Sequence, residues 1–311
     1  MATVTTRNGR VLLQSLELDL ANGTVDDISN AVVKAVPKYT IRRQRLTLQR
    51  ADGTVVLQRG EHLSKYNIQK DETVYFKDLG PQIDWATVFL IEYLGPMIIH
   101  SVLYMYQELF YSRMESQDSN PDTPRRTHVQ MISFFLVIVH YFKRELETIH
   151  VHRFSNDTMP IQNLPKNCFH YWVLGGIMIA YPLYRPGFEG GYFPALMQPI
   201  YLVPLLFTWG FAEVSNFFTH VTLRNLRPPG TRVRNIPMGY GFNQVSCPNY
   251  FFEILGWVVL SLITGSIFVW LFTIIGAVQM YIWAVKKHKR YIKEFGDKYP
   301  RKRKILIPYL L

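Results

Sequence analysis

Residues 248–285 read PNYFFEILGWVVLSLITGSIFVWLFTIIGAVQMYIWAV. From 254 to 285 this stretch runs 32 residues without Asp, Glu, Lys or Arg, and a second uncharged run of 23 covers 190–212. Each exceeds the ~20 apolar residues that cross hydrocarbon as a helix. As one helix the longer run would measure about 48 Å against a core of roughly 30 Å. Two helices, 246–264 and 266–285, turning at Thr264-Gly265-Ser266, are therefore expected, with one long tilted helix continuing into the cytosol as the alternative. Two crossings require the first to begin before Glu253, which places Asn249, Tyr250 and Glu253 at membrane depth or at its edge.

Further apolar segments fit helices at 85–108, 127–149, 167–184 and 192–222. The expected fold is a multi-pass α-helical membrane protein of about six transmembrane helices with an N-terminal β-grasp (ubiquitin-like) cytosolic domain, divided as 1–80 and 81–311. Mean hydropathy near zero then averages a polar part and a membrane part. The net charge is +11, and residues 286–311 hold ten Lys or Arg against Glu294 and Asp297. A basic tail directly beyond a membrane helix follows the positive-inside rule, which puts the C-terminus in the cytosol beside anionic membrane lipids and gives no reason to invoke nucleic acid. No signal peptide precedes the polar N-terminal segment, so both termini are expected in the cytosol and the number of crossings is even.

In the N-terminal segment, Asn8-Gly9 between Thr3-Val4-Thr5 and Val11-Leu12-Leu13 signals a hairpin with a type I′ turn. Thr24 with Asp27 forms a capping-box start for a helix carrying Ile28, Val32, Val33 and Val36, ended by Pro37. Strands fit Arg45–Gln49, Thr54–Gln58 and Thr73–Phe76. This order resembles ubiquitin-like domains without a conjugating Gly-Gly tail, so docking or regulation is the expected role, against a plain folded cap.

Polar groups interrupt the apolar runs, and a carboxylate in hydrocarbon persists mainly where it faces a partner or a cavity. Glu92 lies inside the apolar run 85–107. Asn249 and Glu253 stand one helical turn apart with Tyr250 beside them, so an amide, a phenol and a carboxylate can point into one space. Asn216, His220, Arg224 and Arg227 fall on one face of another helix, where the arginines could grip phosphates or simply anchor the helix end. His288 and Tyr291 follow the last helix. Lys143, Arg144, Glu145 and Glu147 could pair with one another at the surface. Cys168 and Cys247 are too few for a disulfide framework and read as small core residues.

Several chemistries are excluded on pattern. Gly239-Tyr240-Gly241 does not open a helix after a strand, so a Rossmann dinucleotide site is unsupported. Nine histidines, with His150 and His152 the sole tight pair, do not supply a membrane di-iron ligand set, and no metal is expected. No nucleophile elbow is present.

Val245-Ser246-Cys247-Pro248-Asn249-Tyr250, His140-Tyr141-Phe142-Lys143-Arg144 with Glu147-Thr148 and His152-Arg153-Phe154-Ser155, Leu223 to Pro228, and Lys287-His288-Lys289-Arg290-Tyr291 through Ile307-Pro308-Tyr309-Leu310-Leu311 resemble the very-long-chain trans-2-enoyl-CoA reductases of the steroid 5α-reductase superfamily. The resemblance covers nearly the whole chain. It implies an endoplasmic-reticulum enzyme that reduces trans-2-enoyl-CoA with NADPH to close each round of very-long-chain fatty acid elongation. Its implied partners are long-chain and very-long-chain enoyl-CoA, the elongase condensing enzyme, 3-ketoacyl-CoA reductase and 3-hydroxyacyl-CoA dehydratase.

Carried over by position, the resemblance implies Asn216, Arg224, Arg227, Asn249, Glu253, His288 and Tyr291 as cofactor contacts, and Glu92 and Tyr141 as holders of the substrate carbonyl. It implies Tyr250 as proton donor, with Lys143 lowering its pKa or orienting it. His220 stands where related steroid reductases lead one to expect an acid. A steroid or polyprenol double-bond reductase, an S-adenosylmethionine-dependent isoprenylcysteine methyltransferase and a non-enzymatic scaffold for elongation enzymes are the competing readings.

Overall fold

Hydrophobic alternation at the N-terminus builds a sheet, because every second side chain of a strand meets the same face. In the computed structural model, which describes residues 1–69, 71–118, 126–154, 157–226 and 235–310, the strands are β1 (Ala2–Thr6), β2 (Val11–Leu16), β3 (Gln44–Arg50), β4 (Gly53–Val56) and β5 (Thr73–Asp78). They pair in the order β2-β1-β5-β3-β4. β1 and β5 run parallel at the centre and the other pairs are antiparallel. Helix α1 (Val25–Ala35) buries Ile28 and Val32 with Val4, Leu46, Leu48, Val74 and Phe76. Its start carries the Asp27 arm of the expected capping box, the Thr24 amide donating to Asp27 Oδ2 at 2.7 Å, while the Asp27 amide bonds the Thr24 backbone carbonyl at 3.1 Å.

The first hairpin departs from expectation. A type I′ turn needs positive φ at both Asn8 and Gly9, but only Gly9 has it, at 80°. The Gly9 amide donates to the Thr6 carbonyl at 3.0 Å and the Thr6 amide to the Arg10 carbonyl at 2.8 Å, the three-residue loop that closes on a left-handed glycine. The sheet-bearing unit also runs past residue 80. Met1–Trp85 and Asn156–Leu164 form one compact unit, closed by pairing of β6 (Gln82–Asp84) with β7 (Thr158–Pro160).

The second unit is helical: α2 (Trp85–Met105), α3 (Gln107–Asp118), α4 (His128–His150), α5 (Leu164–Cys168) continuing through a π-helical stretch (Phe169–Ile177) into α6 (Met178–Leu183), α7 (Pro199–Asn225), α8 (Pro248–Thr264) and α9 (Ile267–Phe295). Helices thus lie in each of the six expected segments. The one expected at 85–108 instead breaks at Tyr106, and the one expected from 192 begins at Pro199, after a short turn over Pro194–Met197. Among the described residues, Trp85–Met105, Pro199–Asn225 and Ile267–Lys298 are long and apolar enough to cross a membrane. The last turns of α4 carry Lys143, Arg144, Glu145 and Glu147, and α8 has 17 residues. The uncharged run breaks as expected, with Gly265 as a left-handed cap at φ 57°.

Helix α7 is polar inside and apolar outside. Ile200, Val203, Phe207, Phe211, Val214 and Phe218 recur every three or four residues and are all exposed, whereas Glu213, Ser215, Asn216 and Thr219 are buried. That apolar stripe spans about 27 Å, the thickness of a hydrocarbon core. The chain is a membrane protein whose buried polar groups converge where α4, α7 and α8 meet.

Candidate active site

Local sequence aims the polar groups inward. Cys247-Pro248 starts α8, with Pro248 at a first-turn position where a missing N–H costs nothing. Asn249 and Glu253 then lie on the buried face one turn apart. On α4, His140, Lys143 and Arg144 occupy successive turns of the face opposed to α7 and α8. On α7, Glu213 and Asn216 share a face.

These residues form a connected set. His140 presents Nδ1 to Glu213 Oε1 at 2.8 Å and Nε2 to Glu253 Oε1 at 3.3 Å. Lys143 Nζ stands 2.7 Å from Glu213 Oε2 and donates to Asn216 Oδ1 at 2.7 Å. Asn216 Nδ2 donates to the Asn249 backbone carbonyl at 2.9 Å. The Trp257 indole donates to Glu253 Oε1 at 3.4 Å. A crevice of about 10 Å³, room for about one water, lined by Leu136, His140, Trp209, Glu213 and Trp257 adjoins the set.

Beside it, Arg144 binds Glu147 and donates to the Tyr93 hydroxyl at 2.9 Å. Its Nη1 also lies 3.1 Å from His220 Nε2, so His220 faces a guanidinium, a partner an acid would also accept. Glu147, His152 and His220 bring possible metal-ligating atoms within 4.8 Å of one another. Arg144, bonded to two of them, already supplies positive charge there.

Of the two residues expected to hold the substrate carbonyl, Tyr141 is fully buried beside Tyr93, His140 and Trp257, and its hydroxyl has no hydrogen-bond partner. Glu92 is buried on α2 facing the Asn167 amide, with Oε1 unpartnered. Pro96 lacks the amide that would bond the Glu92 carbonyl, which loosens α2 at this residue. Asn249 Oδ1 is the third buried atom of the nominated residues left without a partner.

The expected pairing of Lys143 with Tyr250 is not formed. Lys143 is committed to Glu213 and Asn216, and the cation over the Tyr250 ring is Lys287, at 5.9 Å. The reason is helical: Lys143 points to the α7 face that holds Glu213, whereas Tyr250 packs on α9 against Trp283. His288 Nδ1 lies 2.6 Å from Ser246 Oγ, which also meets the Tyr299 hydroxyl at 2.6 Å. Tyr291 is buried against Tyr299 and Phe295. Arg224 is half-buried near the end of α7, and its carbonyl accepts from Arg153 at 3.4 Å. Arg227 lies outside the described residues.

Comparison with known proteins decides the family. A profile described as 3-oxo-5-alpha-steroid 4-dehydrogenase matches residues 157–311. An enoyl reductase of Schizosaccharomyces pombe is 45% identical over 305 residues, 98% of this chain and 97% of its own. The very-long-chain enoyl-CoA reductase of Dictyostelium discoideum is 46% identical over 248 residues, 79% and 76% of the two chains. The chain belongs to the trans-2-enoyl-CoA reductase family of the steroid 5α-reductase superfamily. A Caenorhabditis elegans protein designated a very-long-chain enoyl-CoA reductase is 36% identical over 307 residues, covering 96% and 95%. Within this reductase the steroid-dehydrogenase match takes in α7, α8 and α9, hence Asn216, Asn249 and Glu253. Glu92, Tyr141 and Lys143 lie on helices that only the full-length relatives cover.

Sequence reasoning missed Glu213, the meeting point of His140 and Lys143, because it follows directly on the uncharged run 190–212 and reads as a flanking charge. It also missed Tyr93 and passed over His140 as part of a motif. The available signal was spacing: Glu213 and Asn216 stand three apart on one helix.

Proposed function

We propose that the protein catalyses the NADPH-dependent reduction of long-chain and very-long-chain trans-2-enoyl-CoA to saturated acyl-CoA, the last step of an elongation cycle, in the endoplasmic-reticulum membrane. The observation that carries this reading is the trio of buried, unpartnered polar atoms, Tyr141 Oη, Glu92 Oε1 and Asn249 Oδ1. They are three of twelve buried side-chain atoms left unpartnered among the described residues, and because most buried polar groups are bonded, each is a place where a polar atom of a ligand fits.

The residues present fit a nicotinamide. Asn249 Oδ1 is a free acceptor suited to a carboxamide N–H, and Glu253 one turn along offers a carboxylate. Asn216 backs Asn249 through its carbonyl. Arg224, Arg227, His288 and Tyr291 are proposed to hold the remainder of the cofactor. When bound, NADPH supplies the hydride that reduces the acyl chain at C3. Reduction there builds negative charge on the thioester oxygen, and the Tyr141 phenol with the Glu92 carboxyl group is proposed to hold that oxygen, since donors aimed at developing charge lower the barrier most. Tyr250 is proposed to deliver the proton to C2, with Lys287 over its ring favouring the phenolate left behind. Lys143 serves by seating Asn216 and Glu213.

Six crossings with both termini cytosolic complete the proposal, supported by six helical segments, the basic tail and the break at Gly265. The N-terminal unit is proposed to be a β-grasp module that docks the elongase condensing enzyme, the 3-ketoacyl-CoA reductase or the 3-hydroxyacyl-CoA dehydratase. Its sheet order and crossing helix support the fold assignment. NADPH oxidation by the purified protein with trans-2-hexadecenoyl-CoA, set against a 4-ene-3-keto steroid, tests the function. Turnover of the thioester alone is expected, and turnover of the steroid alone would replace this reading. Tyr250→Phe should abolish turnover while leaving NADPH binding intact.

A further inference from the structure

Two nominated cofactor contacts, Asn249 and Glu253, sit one turn apart on α8, and both are held from behind by a single side chain on α7. From Glu253 the path runs to His140 at 3.3 Å and from His140 to Glu213 at 2.8 Å. From Glu213 it runs to Lys143 at 2.7 Å, from Lys143 to Asn216 at 2.7 Å, and from Asn216 to the Asn249 carbonyl at 2.9 Å. The path closes on α8, four residues from where it began. On this path Glu213 is the carboxylate that meets both His140 and Lys143, one oxygen for each arm, and it is buried, as is His140.

From this closed path we infer that Glu213 is the positioning residue of the cofactor site. It fixes Glu253 through His140 and the Asn249 turn through Lys143 and Asn216, without touching cofactor itself. The inference rests on the proposed nicotinamide site. The geometry has a physical logic. Asn249 Oδ1 and the Glu253 carboxylate must face a ligand at fixed separation, and the path holds the Glu253 side chain directly through His140 and the backbone turn that carries Asn249 through its carbonyl. A carboxylate with two oxygens can lock both at once, because charge-assisted hydrogen bonds in a low-dielectric interior are strong and directional. Hydrogen bonds from behind of this kind are what hold a binding constellation to within a fraction of an ångström. Gly256 on α8 makes the approach possible: a Cβ there would stand 3.3 Å from Glu213 Oε1.

The two arms can be cut separately. Glu213→Gln keeps an acceptor for His140 but turns an amide N–H2 towards Lys143, which loosens the Asn216 arm alone and leaves Lys143 the Glu213 backbone carbonyl at 3.2 Å and Glu147 at 3.4 Å. Lys143→Met opens the same arm from the other side, and Glu213→Ala opens both. Purified proteins in detergent are compared by NADPH binding, read as energy transfer from tryptophan, by apo-protein melting, and by steady-state turnover. Expected is an NADPH Kd raised about tenfold in Glu213→Gln and in Lys143→Met, the scale of one buried charged hydrogen bond. The double variant should be no weaker than either single, as for residues acting in one network. Glu213→Ala should lose more, with kcat at saturating NADPH changed less than KM. An unchanged Kd in Glu213→Gln that melts like wild type, or additive losses in the double variant, overturns the inference even if Glu213→Ala fails to fold. Failure of the wild-type protein to bind NADPH overturns the functional reading itself and takes this inference with it.

Discussion

The Tyr141 hydroxyl lies against a position where no side chain is present: a Cβ on Gly175 would stand 2.8 Å from Oη and 3.1 Å from the Phe272 ring. Tyr141 cannot swing away cheaply, because its ring is packed among Tyr93, His140 and Trp257. The Gly175 backbone is also pinned, its carbonyl 3.0 Å from His100 Nε2. Gly175→Ala should therefore displace the phenol rather than the helix. The expected result is a loss of roughly tenfold to a hundredfold in kcat/KM for the enoyl substrate, the cost of misplacing a reacting group by about an ångström, with NADPH affinity retained. Steady-state kinetics with each substrate varied in turn measures it, and an equal loss in cofactor affinity would sink the assignment of Tyr141 to the acyl side. This contact was not legible in the sequence. Asn249 and Glu253 were, since their spacing and their intrusion into an apolar run are local facts, and so was the burial of Glu92. Which groups on α4 face which on α7 depends on how those helices are turned, and that left Lys143 free to be matched with a phenol where it meets a carboxylate and an amide.

Among the elements, the turn between α8 and α9 was readable from length alone, because one helix of 32 residues overshoots the hydrocarbon. The π-helical stretch Phe169–Ile177 was not, since its register answers to neighbours: Trp172 fills the space left by Gly95 and donates to the Ile91 carbonyl at 2.9 Å. The α8–α9 turn closes on Gly265 at φ 57°, where the Tyr192 amide donates to its carbonyl at 3.0 Å. A Cβ at Gly265 would stand 2.8 Å from the Tyr192 nitrogen and 3.0 Å from the Gly191 backbone. Backbone cannot yield as a side-chain tip can. Gly265→Val thus combines a left-handed conformation costing about 1–2 kcal/mol with a steric clash, and should lower the melting temperature of the purified protein. Melting in detergent checks this, and a value equal to wild type would mean that the turn rearranges at no cost.

Across the whole molecule, two cores with different chemistry share one chain, one helical with buried ion pairs and one a sheet with its charges outside. The pattern of alternation and turn residues made the five-stranded sheet legible, but not the separate β6–β7 pair, because 158–160 pairs with a strand more than seventy residues earlier. Acid should discriminate between the cores. In the sheet unit, Arg43 Nε and Nη2 donate to Asp78 at 3.0 and 2.6 Å, and the Gly80 amide adds a bond at 2.9 Å. Hydrogen bonds from Arg43 hold the Asp78 carboxyl group below the usual carboxylate range, against a smaller opposing effect of burial. A pKa lowered in the folded state means that the unfolded chain takes up the proton first as pH falls. The contribution is therefore whole above the ordinary Asp value near 3.9 and drains away as pH falls through the lower folded value. The pair is 26% and 33% exposed, so at neutral pH it adds at most about 1 kcal/mol, less at high salt. Arg43→Ala should lower hydrogen-exchange protection of β5 at pH 7 by at most about fivefold, and the difference from wild type should shrink as pH falls below the ordinary Asp value. Exchange mass spectrometry of the full chain across pH reads this directly, and a difference between variant and wild type that persists undiminished in acid would show that it does not come from the Asp78 carboxylate.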